Sequence, residues 1–409
     1  MWAFAFRLKI IVVRGDTYLK ITDIKTFTVF SYRTNFVFIK ILTDEGISGI
    51  GEGTLEYKEN ALLGAVEDIK RVLIGQDPRE LERICHELYR DSYWRVGPVL
   101  MSAISAVEMA LWDIKGKAAG VPVYEMLGGK VRDSVRMYAN GWFSGAKEPE
   151  EFAAAALKAK EKGITALKWD PFGKAYLYMD HKDFVHAIEV VEAVRGAVGN
   201  DMDLLIEGHG RFDIATGIKI ANALKPFDPY FFEEPTPPDC YNALAEVRRS
   251  SPVPIAGGER VYSLTQMREF LEKGCADFVQ PDVSHCGGIS AVKKMAAMCE
   301  TYYVAIAPHN PSGPVANAAT LHLAANLTGF RILEIMLTDV TWRKDLTNEK
   351  VVFENGNILI PQGIGLGLEL NEEACSSYPF QPIDLRHYKG TLTNIRPVGS
   401  TDFYFEGLR

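Results

Sequence analysis

Between residues 19 and 53 apolar and polar positions alternate, in ITDIKTFTVF, in NFVFIKILTD and more briefly in GIGEG, with a turn at Glu45-Gly46. A period of two predicts strands. From about residue 60 to 118 the period lengthens to that of a helix, in ALLGAVEDIKRVLIG and MSAISAVEMALWDIKGKAAG. Strands followed by helices make an α+β unit. After about residue 135 short apolar runs alternate with amphipathic stretches such as PEEFAAAALKAKEKG and DFVHAIEVVEAVRGAVG. The runs are ITALKWD, DLLIEGH, PYFFEEP, VPIAGGE, ADFVQPD, YVAIAPH and RILEI, and nearly all end in an ionisable residue. Strand then helix, repeated, predicts an α/β fold in which about eight units close into a (β/α) barrel, a modified TIM barrel. The expected organisation is an extension over 1–18, an α+β unit over 19–135, the barrel over 136–362, and a segment over 363–409 that packs back on the α+β unit.

The stretch LLIEGHGRFD, residues 204 to 213, ends an apolar run in Glu207 and follows it with His209 and Arg211 at alternate positions. An extended chain sends such positions to one side. If the strand continues that far, a carboxylate, an imidazole and a guanidinium converge. A helix cap among ordinary loop charges would explain one such stretch, but the pattern recurs. Glu233 follows Glu207 by 26 positions and Glu259 follows by 26 more, with Asp282, His309 and Glu334 after further steps of 23, 27 and 25. One polar group per repeat gathers them at the C-terminal rim, where barrel enzymes keep their chemistry.

Glu207, Glu233 and Glu259 form an all-oxygen set that suits Mg²⁺, with Mn²⁺ as the second choice, better than Zn²⁺. Without a cation the three would raise one another's pKa values. Asp282 beside His309 would fix the imidazole tautomer and make it a better base. Lys168, in ALKWD, could hold a substrate carboxylate, move a proton, or simply pair with Asp170. Together these groups suggest proton abstraction beside a carboxylate, with a cation to stabilise the enediolate.

Composition changes this picture little. The 409 residues suit a large domain with a smaller one. A net charge of -8 argues against a nucleic-acid surface, although a metal can reverse the field locally for an anionic substrate. Cys85, Cys240, Cys275, Cys286, Cys299 and Cys375 lack CxxC spacing and read as free thiols of a reducing cytoplasm. The apolar start MWAFAFRLKIIVVRG is broken by Arg7 and Lys9 and is too short to span a bilayer. It lacks a cleavage site, so neither a signal peptide nor a membrane partner is expected.

The stretches GPVLMSAISAVEMALWDIKGK, YANGWF, ALKWDPFG, LLIEGHGRFD, FFEEPTPP, GGERVYS, QPDVSHCGGIS and APHNPSGPVANAA resemble the mandelate-racemase branch of the enolase superfamily. The resemblance covers nearly all of residues 19 to 409 and is strongest to sugar-acid dehydratases of the gluconate and galactonate kind. It implies Mg²⁺ on Glu207, Glu233 and Glu259. It makes His309, oriented by Asp282, the base at C2 and His209 the acid for the departing 3-hydroxyl. Glu334 would help to hold the substrate carboxylate or enediolate. The α+β unit becomes a capping domain, completed by the C-terminal tail, with loops at 32–35 and 54–60 closing over the substrate. Substrate contacts are expected from Tyr57, Trp94, Arg95, Asp170 and Arg211, with Trp342 also at the rim; Arg211 is equally readable as structural. A homo-oligomer is implied.

Lys168 matches the first lysine of the family's KxK motif, but Asp170 replaces the second. That departure weakens a racemase reading and leaves the role of Lys168 open. The favoured reaction is dehydration of D-gluconate or D-galactonate to the 2-keto-3-deoxy acid. A pentonate such as D-arabinonate or D-xylonate, epimerisation at C2, a Schiff-base aldolase on Lys168, and a degenerate binder of metal or sugar acid are the alternatives.

Overall fold

The structure, a computed structural model, describes residues 18–383. The extension expected over 1–18, apart from its last residue, and the tail after 383 lie outside the described residues. Three antiparallel strands open the fold: β1 (Ile21–Phe30), β2 (Asn35–Thr43) and β3 (Ser48–Glu52). Helices α1 (Glu59–Leu73), α2 (Leu81–Arg90), α3 (Pro98–Ala119) and the short α4 (Val123–Met126) follow. The alternating and helical periods of the sequence reappear in these elements.

Helix α3 is buried on every side from Met101 to Ile114, with Ser102, Ser105, Glu108 and Asp113 set among its apolar residues. Strand β3 can lie on it because alternate residues, Gly49, Gly51 and Gly53, carry no side chain. A Cβ at these positions would fall 2.1 Å from the carbonyl oxygen of Ala110, 1.8 Å from that of Ala106 and 2.8 Å from that of Ser102. The match is one of repeat lengths. Two residues of strand rise about 6.6 Å and four residues of helix about 6 Å, so each glycine meets the next turn of α3.

The barrel runs β4 (Ser134–Asn140), α5 (Pro149–Glu161), β5 (Ala166–Trp169), α6 (His181–Val198), β6 (Asp203–Glu207), α7 (Ile214–Leu224), β7 (Phe231–Glu233) and α8 (Tyr241–Ser250). It continues through β8 (Ile255–Gly257), α9 (Leu264–Glu272), β9 (Phe278–Val279), α10 (Gly288–Thr301), β10 (Ala305–Ile306), α11 (Pro314–Asn326) and β11 (Leu333–Met336). Strands β4 to β10 pair in parallel order, and β11 returns to pair with β4. The ring closes where Ile306 donates to Gly329 and accepts from Arg331. Seven strands correspond to runs read from the sequence. The remaining one, β4, is interrupted by Arg136, whose guanidinium reaches Asp203 at 2.7 Å.

No full helix follows β11 among the described residues. The chain makes α12 (Arg343–Leu346), the hairpin β12 (Phe353–Glu354) and β13 (Asn357–Leu359), and α13 (Glu372–Ser377). Glu372 of α13 then bonds Lys25 and Lys40 on β1 and β2, and Phe30 N donates to Tyr378 O. The last described segment thus packs against the N-terminal sheet.

Buried carboxylates join the N-terminal unit to the barrel. Glu52, at the end of β3, accepts from Gly313 N and Ala316 N at 2.6 and 2.9 Å, at the start of α11. Glu108 of α3 accepts from Ile289 N and Ser290 N at 2.7 and 2.8 Å, at the start of α10. The orphan N–H groups and positive dipole of a helix start suit a carboxylate. A Cβ on Gly313 or Gly288 would fall within 3 Å of these carboxylates, so both sites need glycine.

Gly51→Ala is expected to lower stability by about 1–3 kcal/mol or more through overpacking. Gly64→Ala, on the open face of α1 with nothing within 4 Å of the added carbon, should raise it by about 0.5–1 kcal/mol. Urea midpoints followed by circular dichroism decide this: equal midpoints for Gly51→Ala and the parent would disprove the close docking of β3 on α3.

Candidate active site

Barrel strands turn every second side chain inward, and here the register builds two layers. The lower one is apolar: Tyr138, Ala166, Leu205, Phe231, Ala256, Ala307 and Ile332 are fully buried and pack with Phe278. Two positions further along the same strands stand Asn140, Lys168, Glu207, Glu233, Gly258, Gln280, His309 and Glu334. An apolar plug thus carries a polar floor at the C-terminal rim.

Lys168 holds the middle of that floor. Its Nζ lies 2.9 Å from Glu233, 3.1 Å from Glu334 and 3.2 Å from Glu207. It is paired with these carboxylates rather than with Asp170. Glu334 also accepts from Asn140 Nδ2 at 2.9 Å and from Asn310 N at 3.0 Å. One oxygen from each of Glu207, Glu233 and Glu259 lies within 4.8 Å of the others. An all-carboxylate set that close fits a hard divalent cation.

Two His–Asp pairs flank the cluster. His309 Nδ1 lies 2.7 Å from Asp282 Oδ2, and its Nε2 lies 3.5 Å from Glu259. His209 Nδ1 lies 2.6 Å from Asp170 Oδ2. The residue that departs from the KxK motif is therefore the partner of the second histidine. His209 follows β6 and His309 follows β10, four strands apart in a ring of eight, so the pairs stand on opposite sides.

The loop after Glu207 departs from the extended path that would send Glu207, His209 and Arg211 to one side. Strand β6 ends at Glu207, and His209 takes a left-handed φ of 50°. Gly208 N donates to Glu233 O and Gly210 N to Glu234 O, folding the loop onto the end of β7. A Cβ on Gly208 would fall 2.8 Å from Glu234 O, and Gly210 has a φ of 60°. The turn leaves His209 at the cavity and rotates Arg211 inward. Arg211 is fully buried, where it bonds Asp170 and the carbonyls of Gly173 and Gly208. For Arg211 this burial favours the structural of its two readings, and for Asp170, expected at the substrate, it is the reason for a correction: both stand behind His209.

A cavity of about 570 Å³ opens above the floor. Its barrel wall includes His209, Glu259, Arg260, Tyr262, His285 and His309, and its outer wall Arg33 and residues 54–58. Arg33 and Glu56 tie the two outer loops together at 2.9 Å. Tyr57 lines this cavity. Trp94 and Arg95 do not: they sit on the α2–α3 connection, where Trp94 is largely exposed and Arg95 lies over the ring of Tyr89. Trp342 stacks between Phe30 and Tyr378 and donates to Phe30 O.

Several residues here were not singled out from the sequence. Arg260 pairs with the buried Glu234, and Gln280 is buried with neither amide atom bonded to protein. Inward register would have found Asn140 and Gln280, since each lies two positions beyond an apolar barrel residue. No period marks His285 or Arg260, which lie on loops beyond the strands.

Charge sets the protonation of the floor. Burial pushes Glu207 up to about 7, with Glu259 adding to the rise and Lys168 opposing it. Burial and Glu207 hold Glu233 well above the usual carboxylate range. Burial also acts on Glu259, but His309, Arg260 and Lys168 outweigh it and bring that group down to about 2. Burial would lower His309, yet Glu259 and Asp282 raise it to about 10. Lys168, despite burial, is held well above its ordinary range by Glu233 and Glu334.

The family model for the mandelate racemase / muconate lactonizing enzyme N-terminal domain matches residues 11–128, and that for the enolase C-terminal domain-like family matches residues 151–374. A D-galactonate dehydratase of Pectobacterium atrosepticum is 37% identical over 87% of this chain and 93% of its own. A D-gluconate dehydratase of Thermoproteus tenax is 34% identical over 85% of this chain and 71% of its own. The solved structure of an enolase-superfamily member from Salmonella Typhimurium superposes with a TM-score of 0.84 at 33% identity, covering 88% of this chain and 98% of that one.

Asp170→Ala would leave the buried Arg211 charge without its carboxylate. Removing one partner of a buried pair costs about 3–5 kcal/mol, so a large drop in the urea midpoint is expected. A midpoint within about 0.5 kcal/mol of the parent would show that Asp170 does not anchor this loop.

Proposed function

The chain belongs to the mandelate racemase / muconate lactonizing enzyme family of the enolase superfamily, and on that premise we propose that it is a sugar-acid hydro-lyase. Its reaction removes water from an aldonate, D-gluconate or D-galactonate, and leaves the 2-keto-3-deoxy acid. The observation that carries this reading is the pair of histidines, each bonded to its own aspartate, on opposite sides of one carboxylate cluster. Elimination needs a base at C2 and an acid at the leaving oxygen, and the relatives named for gluconate and galactonate dehydration agree with it.

In this mechanism Glu207, Glu233 and Glu259 would hold Mg²⁺. When bound, the cation supplies positive charge against the dianion that develops as the C2 proton leaves. His309, oriented through Nδ1 by Asp282, takes that proton on Nε2 in its neutral form, which becomes accessible where Glu259, the carboxylate that most raises it, would be neutralised as a metal ligand. Lys168, its ammonium kept in place by Glu334, holds the carboxylate end of the substrate, and the C2 electron pair moves into the enediolate. Its collapse expels the 3-hydroxyl, to which His209 delivers a proton, so that water departs. The remaining enol tautomerises to the ketone. Asp170 keeps His209 in position, as Asp282 does for His309. The setting is a reducing cytoplasm, in keeping with six free cysteines and with the lack, among the described residues, of any helix long and apolar enough to cross a membrane.

A panel of C5 and C6 aldonates assayed for 2-keto-3-deoxy acid with Mg²⁺ should give product from one or two substrates, and none after EDTA. His309→Asn should lose dehydration and C2 deuterium exchange together, by about 10²–10⁴-fold. His209→Asn should lose dehydration by a similar factor while keeping exchange. Exchange without keto acid in the parent protein would instead make it an epimerase.

A further inference from the structure

The cavity wall holds a third histidine that the mechanism above leaves unused. His285 lies three residues beyond Asp282, in the turn that leads into α10. Its Nδ1 is 2.8 Å from Ser102 Oγ on the buried helix α3. Its Nε2 approaches Asp282 Oδ2, but at 3.8 Å, beyond hydrogen-bond reach. The Asp282 oxygens already accept from Ser284 N and from His309.

These contacts select a tautomer. The negative Asp282 carboxylate beside Nε2 favours a proton on that nitrogen, so Nδ1 accepts from the Ser102 hydroxyl. The imidazole is then a fixed N–H donor. Its side chain is 14% exposed, on a cavity wall shared with Arg260, Tyr262 and Tyr57. The turn is clamped as well: Gly287 N donates to Ser105 Oγ, and Ser105 Oγ to Met101 O. A donor held this firmly has a defined direction, which a reader of stereochemistry requires.

Resting on the reaction proposed above, we infer that His285 is a specificity-determining residue that donates through Nε2 to a hydroxyl in the distal half of the sugar acid, at C4 or beyond. The carboxylate end lies at the floor, where Lys168 and Glu334 are. His285 lies further out, past the strand end and against the N-terminal unit, where the rest of a five- or six-carbon chain must extend. D-Gluconate and D-galactonate differ only at C4. A donor fixed from outside the barrel can therefore distinguish them, because a polar group left unpaired in the wrong epimer weakens binding far more than a lost apolar contact does.

The experiment compares the parent with His285→Ala, His285→Gln and Ser102→Ala on the best hexonate, on its C4 epimer, and on a three-carbon 2,3-dihydroxy acid. His285→Ala should lower kcat/KM on the hexonate by about 10- to 100-fold, mainly through KM, and shrink the preference between epimers. It should leave the three-carbon acid, which has no carbon beyond C3, within about 3-fold. His285→Gln, which puts an amide N–H near the same place, should restore part of the loss, and Ser102→Ala should show a smaller loss of the same kind. Equal losses on all three substrates, or a fall in kcat at constant KM, would overturn the inference and make His285 a positioning residue acting through Asp282. The parent enzyme separates the two readings: if it dehydrates none of these acids and calorimetry detects no binding of them with Mg²⁺, the reaction assignment fails first and this inference fails with it. Should His285→Ala fail to fold, His285→Gln and Ser102→Ala give the same comparison.

Discussion

The arrangement turns on a concentration of negative charge that a folded chain would normally avoid. Glu207, Glu233 and Glu334 surround one buried ammonium, that of Lys168, above a plug of apolar side chains. One positive charge cannot satisfy three carboxylates, and burial raises the cost of each one left unbalanced. The surplus reaches outward. It lifts Lys168, while Glu259, which lifts His309, sets with Glu207 and Glu233 a group of oxygens within 4.8 Å of one another that fits a divalent cation. Stability and chemistry are coupled here, because the buried charge that is costly to the fold is what would draw a cation to the floor.

Asp170 shows how one replaced residue redirects such a site. A lysine at this position would put an amine where the structure has a carboxylate, and His209 and Arg211 would lose their common partner. With Asp170 in place, Arg211 balances the buried carboxylate from behind and His209 is held at the cavity in front. The aspartate thereby gives the site a second histidine–aspartate pair opposite the first, the pairing on which the proposed division into base and acid rests. The glycines around His209 serve the same end, because only a tight turn can bring the imidazole forward while turning Arg211 inward.

Much of this was legible in the sequence wherever a period carries the information. Strand β1 was read with both its ends, because alternation continues from Ile21 to Phe30. The glutamates were found by their recurrence at nearly constant steps. Strand β4 escaped because Arg136 breaks its apolar run. Trp94 and Arg95 were assigned to the substrate, yet the conformation of a loop between helices has no period to reveal which way it faces. His285 was missed for a related reason: its partner Ser102 is 183 positions away, and only the docking of α3 on the barrel brings the two together.

The carboxylate of Glu52 has a consequence for how the chain is made. Its partner Gly313 lies 261 positions later. A ribosome adding about 5–20 residues per second needs on the order of 13–50 s to travel that distance. Throughout that interval the first sheet has been synthesised, but the helix start that receives its carboxylate does not yet exist. Glu108, waiting for residues 289 and 290, is in the same position. The N-terminal third therefore leaves the ribosome with two acidic groups that cannot yet be buried against their partners, and its final packing has to wait for the last strands of the barrel. Translation order makes this unit, first to emerge, among the last to be completed.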